Sequence, residues 1–236
     1  MLEFKDYSKT YPGGKRAVDH LSLRVEAGEL YGFIGPNGAG KTTALSAAVG
    51  VLDFSEGDIL INGISINADP IACKQVTAYI PDNPDIYEYL TGIQYINFLA
   101  DIYSVSQGDR RERLDRYATE FDMTDRLGEL ISTYSHGMKQ KVALIAALVH
   151  APKLFVLDEP FVGLDPKASH TLKRIMRERC DDGCAIFIST HVLEVAKKLC
   201  DKVAIIMDGR LVASGKTSDV VGDSSLEAVF LELIER

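Results

Sequence analysis

Residues 35–42 read GPNGAGKT: two glycines separated by four residues, followed by Lys and Thr. This is the pattern of a loop that wraps a triphosphate in backbone N–H groups. Gly35, Gly38 and Gly40 lack a Cβ, so the chain can turn tightly and approach an anion closely. Lys41 and Thr42 then open a helical pattern, whose N-terminal N–H groups and dipole face the same phosphates. Lys41 is expected at the β- and γ-phosphates, the Thr42 hydroxyl on Mg²⁺, and Thr43 near the α-phosphate. Pro36, Asn37 and Ala39 complete the loop.

A second set of candidate groups follows two apolar runs. FVLDEP places Asp158 and Glu159 at the end of a buried strand. Asp158 suits Mg²⁺, directly or through water. Glu159, one residue on, points elsewhere and can accept a proton from an attacking water. His191 ends the run IFISTH, where its imidazole can donate to a γ-phosphate or orient Glu159 and water.

The elements that must position these groups are readable in outline. LEFK, HLSLRVE with Leu21, Leu23 and Val25 alternating, and ELYGFIG read as strands. The turn YPGGKRA carries Tyr11, a flat platform for an adenine ring. DILINGISI reads as two strands joined at Asn62 and Gly63, and VTAYI as another. From Asp82 to Ser132 the pattern turns helical. Thr91 caps a segment with Ile93, Ile96, Leu99 and Ile102 on its apolar positions, and the charged stretch GDRRERLDRYATEF follows. Next come the helix HGMKQKVALIAALVH, the strand KLFVLDEP and a helix from about Pro166. The strand CAIFIST, the helix HVLEVAKKL, the strand KVAIIM and a turn at Asp208 and Gly209 complete the alternation. It predicts a doubly wound, mainly parallel sheet with ligands at the carboxyl ends of its strands. In the tail, Ser224 with Glu227 makes a capping box for a helix ending at Ile234.

Composition narrows the function classes. The chain has 236 residues, 46% hydrophobic and 25% charged, a globular balance. A formal charge of −8 argues against broad nucleic-acid binding. No apolar run approaches the roughly 20 residues needed to cross a bilayer, and the N-terminus lacks the apolar core of a signal peptide. A cytosolic protein is expected. Cys73, Cys180, Cys184 and Cys200 lack paired metal-ligand spacing and read as reduced structural thiols.

Taken together, these motifs resemble the nucleotide-binding subunits of ATP-binding cassette (ABC) transporters, over nearly the whole chain and in the family's order. Tyr11 matches the adenine-stacking aromatic, GPNGAGKT the phosphate loop and LFVLDEP the acidic strand. GLDP at Gly163 to Pro166 matches the loop that crosses a dimer interface through Asp165. His191 matches the switch histidine, and YSHGMKQK at Tyr134 to Lys141 resembles the signature loop. The signature variant and the ending SSLEAVFLELIER resemble the bacterial exporter-like subgroup.

The resemblance implies an α/β fold: a P-loop NTPase core with a mainly parallel sheet, an N-terminal antiparallel β-subdomain and an inserted helical subdomain. One cassette domain over 1–236 is expected, with core 1–81 and 142–215, helical insert about 82–141 and tail 216–236. It implies ATP and Mg²⁺ as ligands, and two cassettes, identical or closely related, closing head to tail around two ATP molecules. Ser135 and Gly137 then bind the γ-phosphate held by the opposite subunit. A separate transmembrane permease is implied, reached through Asp82 to Ile102, which would hold the chain at the inner face of the membrane. A non-transport ABC ATPase, a mechanical or regulatory module, is the alternative. Two positions depart from the family pattern. The pentapeptide LSGGQ is YSHGM here, with His136 for Gly and Met138 for Gln. Asp82 stands where Gln is common, at a position that senses Mg²⁺ and the attacking water.

Overall fold

The computed structural model describes residues 1–221, so the capping box at Ser224 lies outside the described residues. Two sheets share one chain. β1 (Leu2–Thr10), β2 (Arg16–Val25), β4 (Glu56–Ile61) and β5 (Ile64–Ser65) form an antiparallel sheet in the order β2-β1-β4-β5. The second sheet contains β3 (Leu30–Ile34), β6 (Thr77–Ile80), β7 (Leu154–Asp158), β8 (Ala185–Thr190), β9 (Lys202–Met207) and β10 (Arg210–Lys216). Its order is β10-β9-β3-β8-β7-β6, parallel throughout except for β10.

The helices are α1 (Lys41–Ala48), α2 (Pro70–Gln75), α3 (Gly92–Ile102), α4 (Gln107–Glu120), α5 (His136–His150), α6 (Pro166–Asp181), α7 (Leu193–Leu199) and α8 (Thr217–Val221). Among the described residues no helix is long and apolar enough to cross a membrane.

β3, β7 and β8 are buried along their whole length, which is why their sequences are continuous apolar runs and do not alternate. Successive side chains divide between two cores. Leu30, Ile34, Leu157 and Ile188 pack with α5 and α6 on one face. Tyr31, Phe33, Val156 and Phe187 pack with α1 and the antiparallel sheet on the other. All four cysteines are buried and free. Burial pushes the Cys180 thiol up to about 12 and Cys184 to about 11.

Local signals account for the turns and caps. Asn62 and Gly63 both take positive φ (53° and 81°), the geometry of a two-residue hairpin turn. Thr91 and Gln94 form a reciprocal capping box at the start of α3. Four features differ from the sequence expectations. β1 runs well past LEFK, carried through a bulge at Asp6 (φ 51°). α2 was not expected; Asp69 caps it by accepting from the Ala72 N–H at 3.0 Å, with Pro70 at its first position. The α3 stripe is only partly core: Ile96 is fully buried, whereas Ile102 is 57% exposed. α5 runs without interruption through residues 141 and 142, so the expected boundary there falls inside a helix.

Phe187 joins the two sheets. Its ring lies 5.4 Å from Phe33 and 6.0 Å from Tyr31 on β3, and 6.1 Å from Phe4 on β1. Phe187→Ala is therefore expected to destabilise the fold by about 3–5 kcal/mol in urea unfolding followed by circular dichroism. A loss below about 1 kcal/mol would show that the sheets are held together elsewhere.

Candidate functional site

The glycine loop leaves the carboxyl end of β3 and feeds α1. Two glycines are required by contact: a Cβ at Gly35 would lie 2.4 Å from the Ile206 carbonyl oxygen, and one at Gly40 would lie 2.3 Å from that of Ala17. Gly38 (φ 83°) has open space where a side chain would stand. Pro36 and Asn37 are exposed, while Ala39 is buried and its N–H donates to the Pro36 carbonyl at 3.2 Å. No side chain caps the first turn of α1, so its N–H groups face the loop.

Lys41 folds back over this loop. Its Nζ donates to the carbonyls of Gly35 (2.7 Å) and Pro36 (3.2 Å) and lies 4.0 Å from Glu159 Oε1. The side chain is only 6% exposed. Burial pulls the ammonium below its ordinary pKa, opposed by the charges of Glu159 and Asp158.

β7 delivers the two acids to different places. Asp158 is buried; its Oδ2 accepts from the Thr42 hydroxyl at 2.7 Å and its Oδ1 from the Ser189 hydroxyl. At Glu159 the backbone turns to φ 46°, a left-handed conformation that a non-glycine residue holds only when its surroundings fix it. Here β8 fixes it: the Glu159 N–H reaches the Ser189 hydroxyl at 3.1 Å and the Ser189 carbonyl at 3.2 Å. The turn sends the Glu159 carboxylate to His191, whose Nδ1 lies 2.8 Å from Oε1.

A cleft of about 280 Å³ opens between these groups. Asp158 and Glu159 line it at one end, Tyr11 and Lys15 at another, and Asp82 contributes from the segment after β6. The Tyr11 hydroxyl lies 3.3 Å from Thr43 Oγ1, which ties the turn after β1 to α1. Ser135, Gly137 and Asp165 are not among the residues lining this cleft. They form a second patch. Ser135 caps α5 by accepting from the Met138 N–H at 3.3 Å. A Cβ at Gly137 would lie 2.6 Å from the Gly163 carbonyl, and the His136 ring covers Gly163. Asp165 caps α6 through the Ala168 N–H at 2.8 Å and pairs with Lys141 at 2.7 Å. The Lys141 hydrogen bond, then the Ala168 N–H, hold the Asp165 carboxyl below its usual range.

Sequence reasoning missed Ser189 and Lys15. The one available signal for Ser189 was a small hydroxyl inside an apolar strand, since a fully buried polar group needs partners.

Comparison with known proteins accounts for this arrangement. Residues 18–162 match the family described as "ABC transporter". The chain belongs to the ABC transporter family. It is similar to the ABC-type transporter ATP-binding protein EcsA of Bacillus subtilis (strain 168), 34% identical over 99% of this chain and 96% of that one. The SkfA peptide export ATP-binding protein SkfE of the same organism is 38% identical over 90% of this chain and 87% of its own. Among solved structures, an ATP-binding subunit of an ABC transporter superposes with a TM-score of 0.95 at 35% identity, covering 99% of both chains. A dimeric cassette in a post-hydrolysis state bound to ADP and Pi shares the fold at a TM-score of 0.84, 23% identity and 92% coverage of this chain. Family membership makes this cassette a nucleotide-binding ATPase.

Ser189→Ala removes one hydrogen bond to the buried Asp158 carboxylate and one acceptor from the strained Glu159 N–H. Steady-state ATPase turnover is expected to fall about tenfold or more, with an unchanged circular dichroism spectrum. Undiminished turnover would show that β8 does not position the two acids.

Proposed function

We propose that this cassette is the ATP-hydrolysing subunit of a transporter, driving a separate membrane permease by closing head to tail with a second cassette around two ATP molecules. The observation that carries the reading is the separation of the two patches. Tyr11, the phosphate loop, Asp158 and Glu159 line one cleft, with His191 bonded to Glu159, while Ser135 and Gly137 stand outside it at the start of the fifteen-residue helix α5. An N-terminal turn of this kind suits an anion, and a γ-phosphate held by another subunit supplies one.

ATP fits the cleft in these terms. Tyr11 stacks against adenine, the loop N–H groups from Gly35 to Gly40 take the phosphates, and Thr43 lies beside the α-phosphate. Lys41 exchanges the carbonyls of Gly35 and Pro36 for the β- and γ-phosphates, which restores a full counter-charge to a buried ammonium. The Thr42 hydroxyl and the Asp158 carboxylate are hard oxygen donors from two elements brought together at 2.7 Å, a set that fits Mg²⁺ because this ion takes few protein ligands and keeps waters and phosphates. When bound, it supplies positive charge at the phosphate oxygens. Asp82 adds a third carboxylate toward metal and water. Glu159 accepts the proton of the water that attacks the γ-phosphorus, ADP leaves, and His191 holds the Glu159 carboxylate in place. Asp165, already fixed by Lys141 and the start of α6, lies in the interface loop.

The permease side rests on an exposed aromatic group. Tyr87 (45% exposed) lies 5.7 Å from Tyr89 (75%) and 5.7 Å from Phe98 (42%), an apolar patch of the kind that marks a protein contact. Binding there would hold the cassette peripherally at the inner face of the membrane.

Glu159→Gln should retain ATP, slow hydrolysis and accumulate the closed dimer. Static light scattering in Mg²⁺ and ATP is expected to show a doubled mass that returns to the monomer value without nucleotide. An ATP-bound monomer would contradict closure between two copies of this chain.

A further inference from the structure

Tyr11 is held at three points. Its hydroxyl lies 3.3 Å from Thr43 Oγ1 on α1. Its backbone closes the turn after β1: the Tyr11 N–H donates to the Lys15 carbonyl at 2.9 Å, and the Gly14 N–H donates to the Tyr11 carbonyl at 3.0 Å. The third hold is a charge. The Lys9 ammonium stands over the Tyr11 ring, 5.6 Å from its centroid. β1 ends at Thr10, and side chains two residues apart along an extended chain point to the same side.

The ammonium is itself anchored, because it donates to the Asp53 carbonyl in the segment between α1 and β4. Lys9 does not line the cleft that Tyr11 shares with Lys41 and Asp158. It lines a separate hollow of about 310 Å³ with Asp53, Phe54 and Glu56. The cation thus covers the ring from the side of that hollow, and the ring remains 37% exposed.

We infer that Lys9 is a positioning residue for the nucleobase: its ammonium backs one face of the Tyr11 ring so that the opposite face is presented to adenine. This rests on the reading above, in which adenine stacks on Tyr11. Two physical effects act together. An aromatic face carries negative charge, so two faces laid against each other repel, and a cation behind the phenol offsets that repulsion. A ring that is already fixed also loses less conformational freedom when the base arrives.

Isothermal titration calorimetry of the full chain with ADP and with pyrophosphate tests this, since both carry two phosphates and only ADP carries a base. An exposed cation–π contact corresponds to about two- to fivefold in Kd. Lys9→Met is expected to weaken ADP by that factor, to leave pyrophosphate unchanged and to keep the wild-type circular dichroism spectrum. Lys9→Arg keeps the cation and should bind ADP within about twofold of wild type. Tyr11→Ala should weaken ADP about fivefold or more through lost stacking, and in that background Lys9→Met should cost nothing further. ADP binding by Lys9→Met at the wild-type Kd would overturn the inference. So would an equal loss of pyrophosphate, a Lys9→Arg variant as weak as Lys9→Met, or the same loss with and without the Tyr11 ring. Tyr11→Ala separates the two claims. If it weakens ADP while Lys9→Met does not, adenine stacking stands and the role of Lys9 falls. If Tyr11→Ala binds ADP like wild type, both fall.

Discussion

An ammonium group buried without a full counter-ion is the constraint around which this cassette is arranged. Lys41 has two carbonyl oxygens of its own loop within hydrogen-bond distance and a carboxylate only at 4.0 Å. Taking such a charge out of water costs several kcal/mol unless geometry and partners repay it. The partners here are incomplete, and the first turn of α1 adds uncapped N–H groups on the same side. The site is thus electropositive at the loop and acidic just beyond it, at Asp158 and Glu159. A phosphate chain matches the positive loop, and a cation beside it would match the acidic side.

The parallel sheet exists to hold those opposing charges at a fixed distance. β3 ends at the glycine loop, β8 lies between β3 and β7, and β7 ends at the two acids. Ser189 on β8 therefore reaches Asp158 and the Glu159 backbone together, and the strained φ at Glu159 is maintained by hydrogen bonds from one neighbouring strand. The two apolar cores on either face make the sheet stiff enough for this, because close-packed interiors transmit strain without yielding.

Much of this was legible because the signals were local. The phosphate loop, the continuous apolar runs of β3, β7 and β8, the Asn62–Gly63 turn and the Thr91 cap each depend on residues close in sequence. The same holds for the acids after β7 and the histidine after β8. What was not legible depended on distant partners or on short elements. α2 has six residues, too few for a period to emerge, and is defined by its Asp69 cap. The role of Ser189 required knowing that β8 lies beside β7. Lys41 was expected on phosphates, and its contacts with the carbonyls of Gly35 and Pro36 carry no local sequence signal. The His136 departure from the signature pattern is accommodated in a way only the fold reveals, with the ring laid over Gly163, where the left-handed backbone (φ 78°) and that ring leave no space for a side chain. Ile102 keeps the helical period but stands on the solvent side of α3.

The claim that the buried Lys41 ammonium costs stability that bound phosphates recover is tested most directly by differential scanning calorimetry of wild type and Lys41→Met, each with and without Mg²⁺ and ATP. A ligand that binds only the folded state raises its stability according to concentration over Kd. The account predicts that Lys41→Met leaves the nucleotide-free transition at or above the wild-type temperature and abolishes the rise that ATP gives the wild type. A variant that melts well below wild type without nucleotide, yet keeps the full ATP-induced rise, would contradict it.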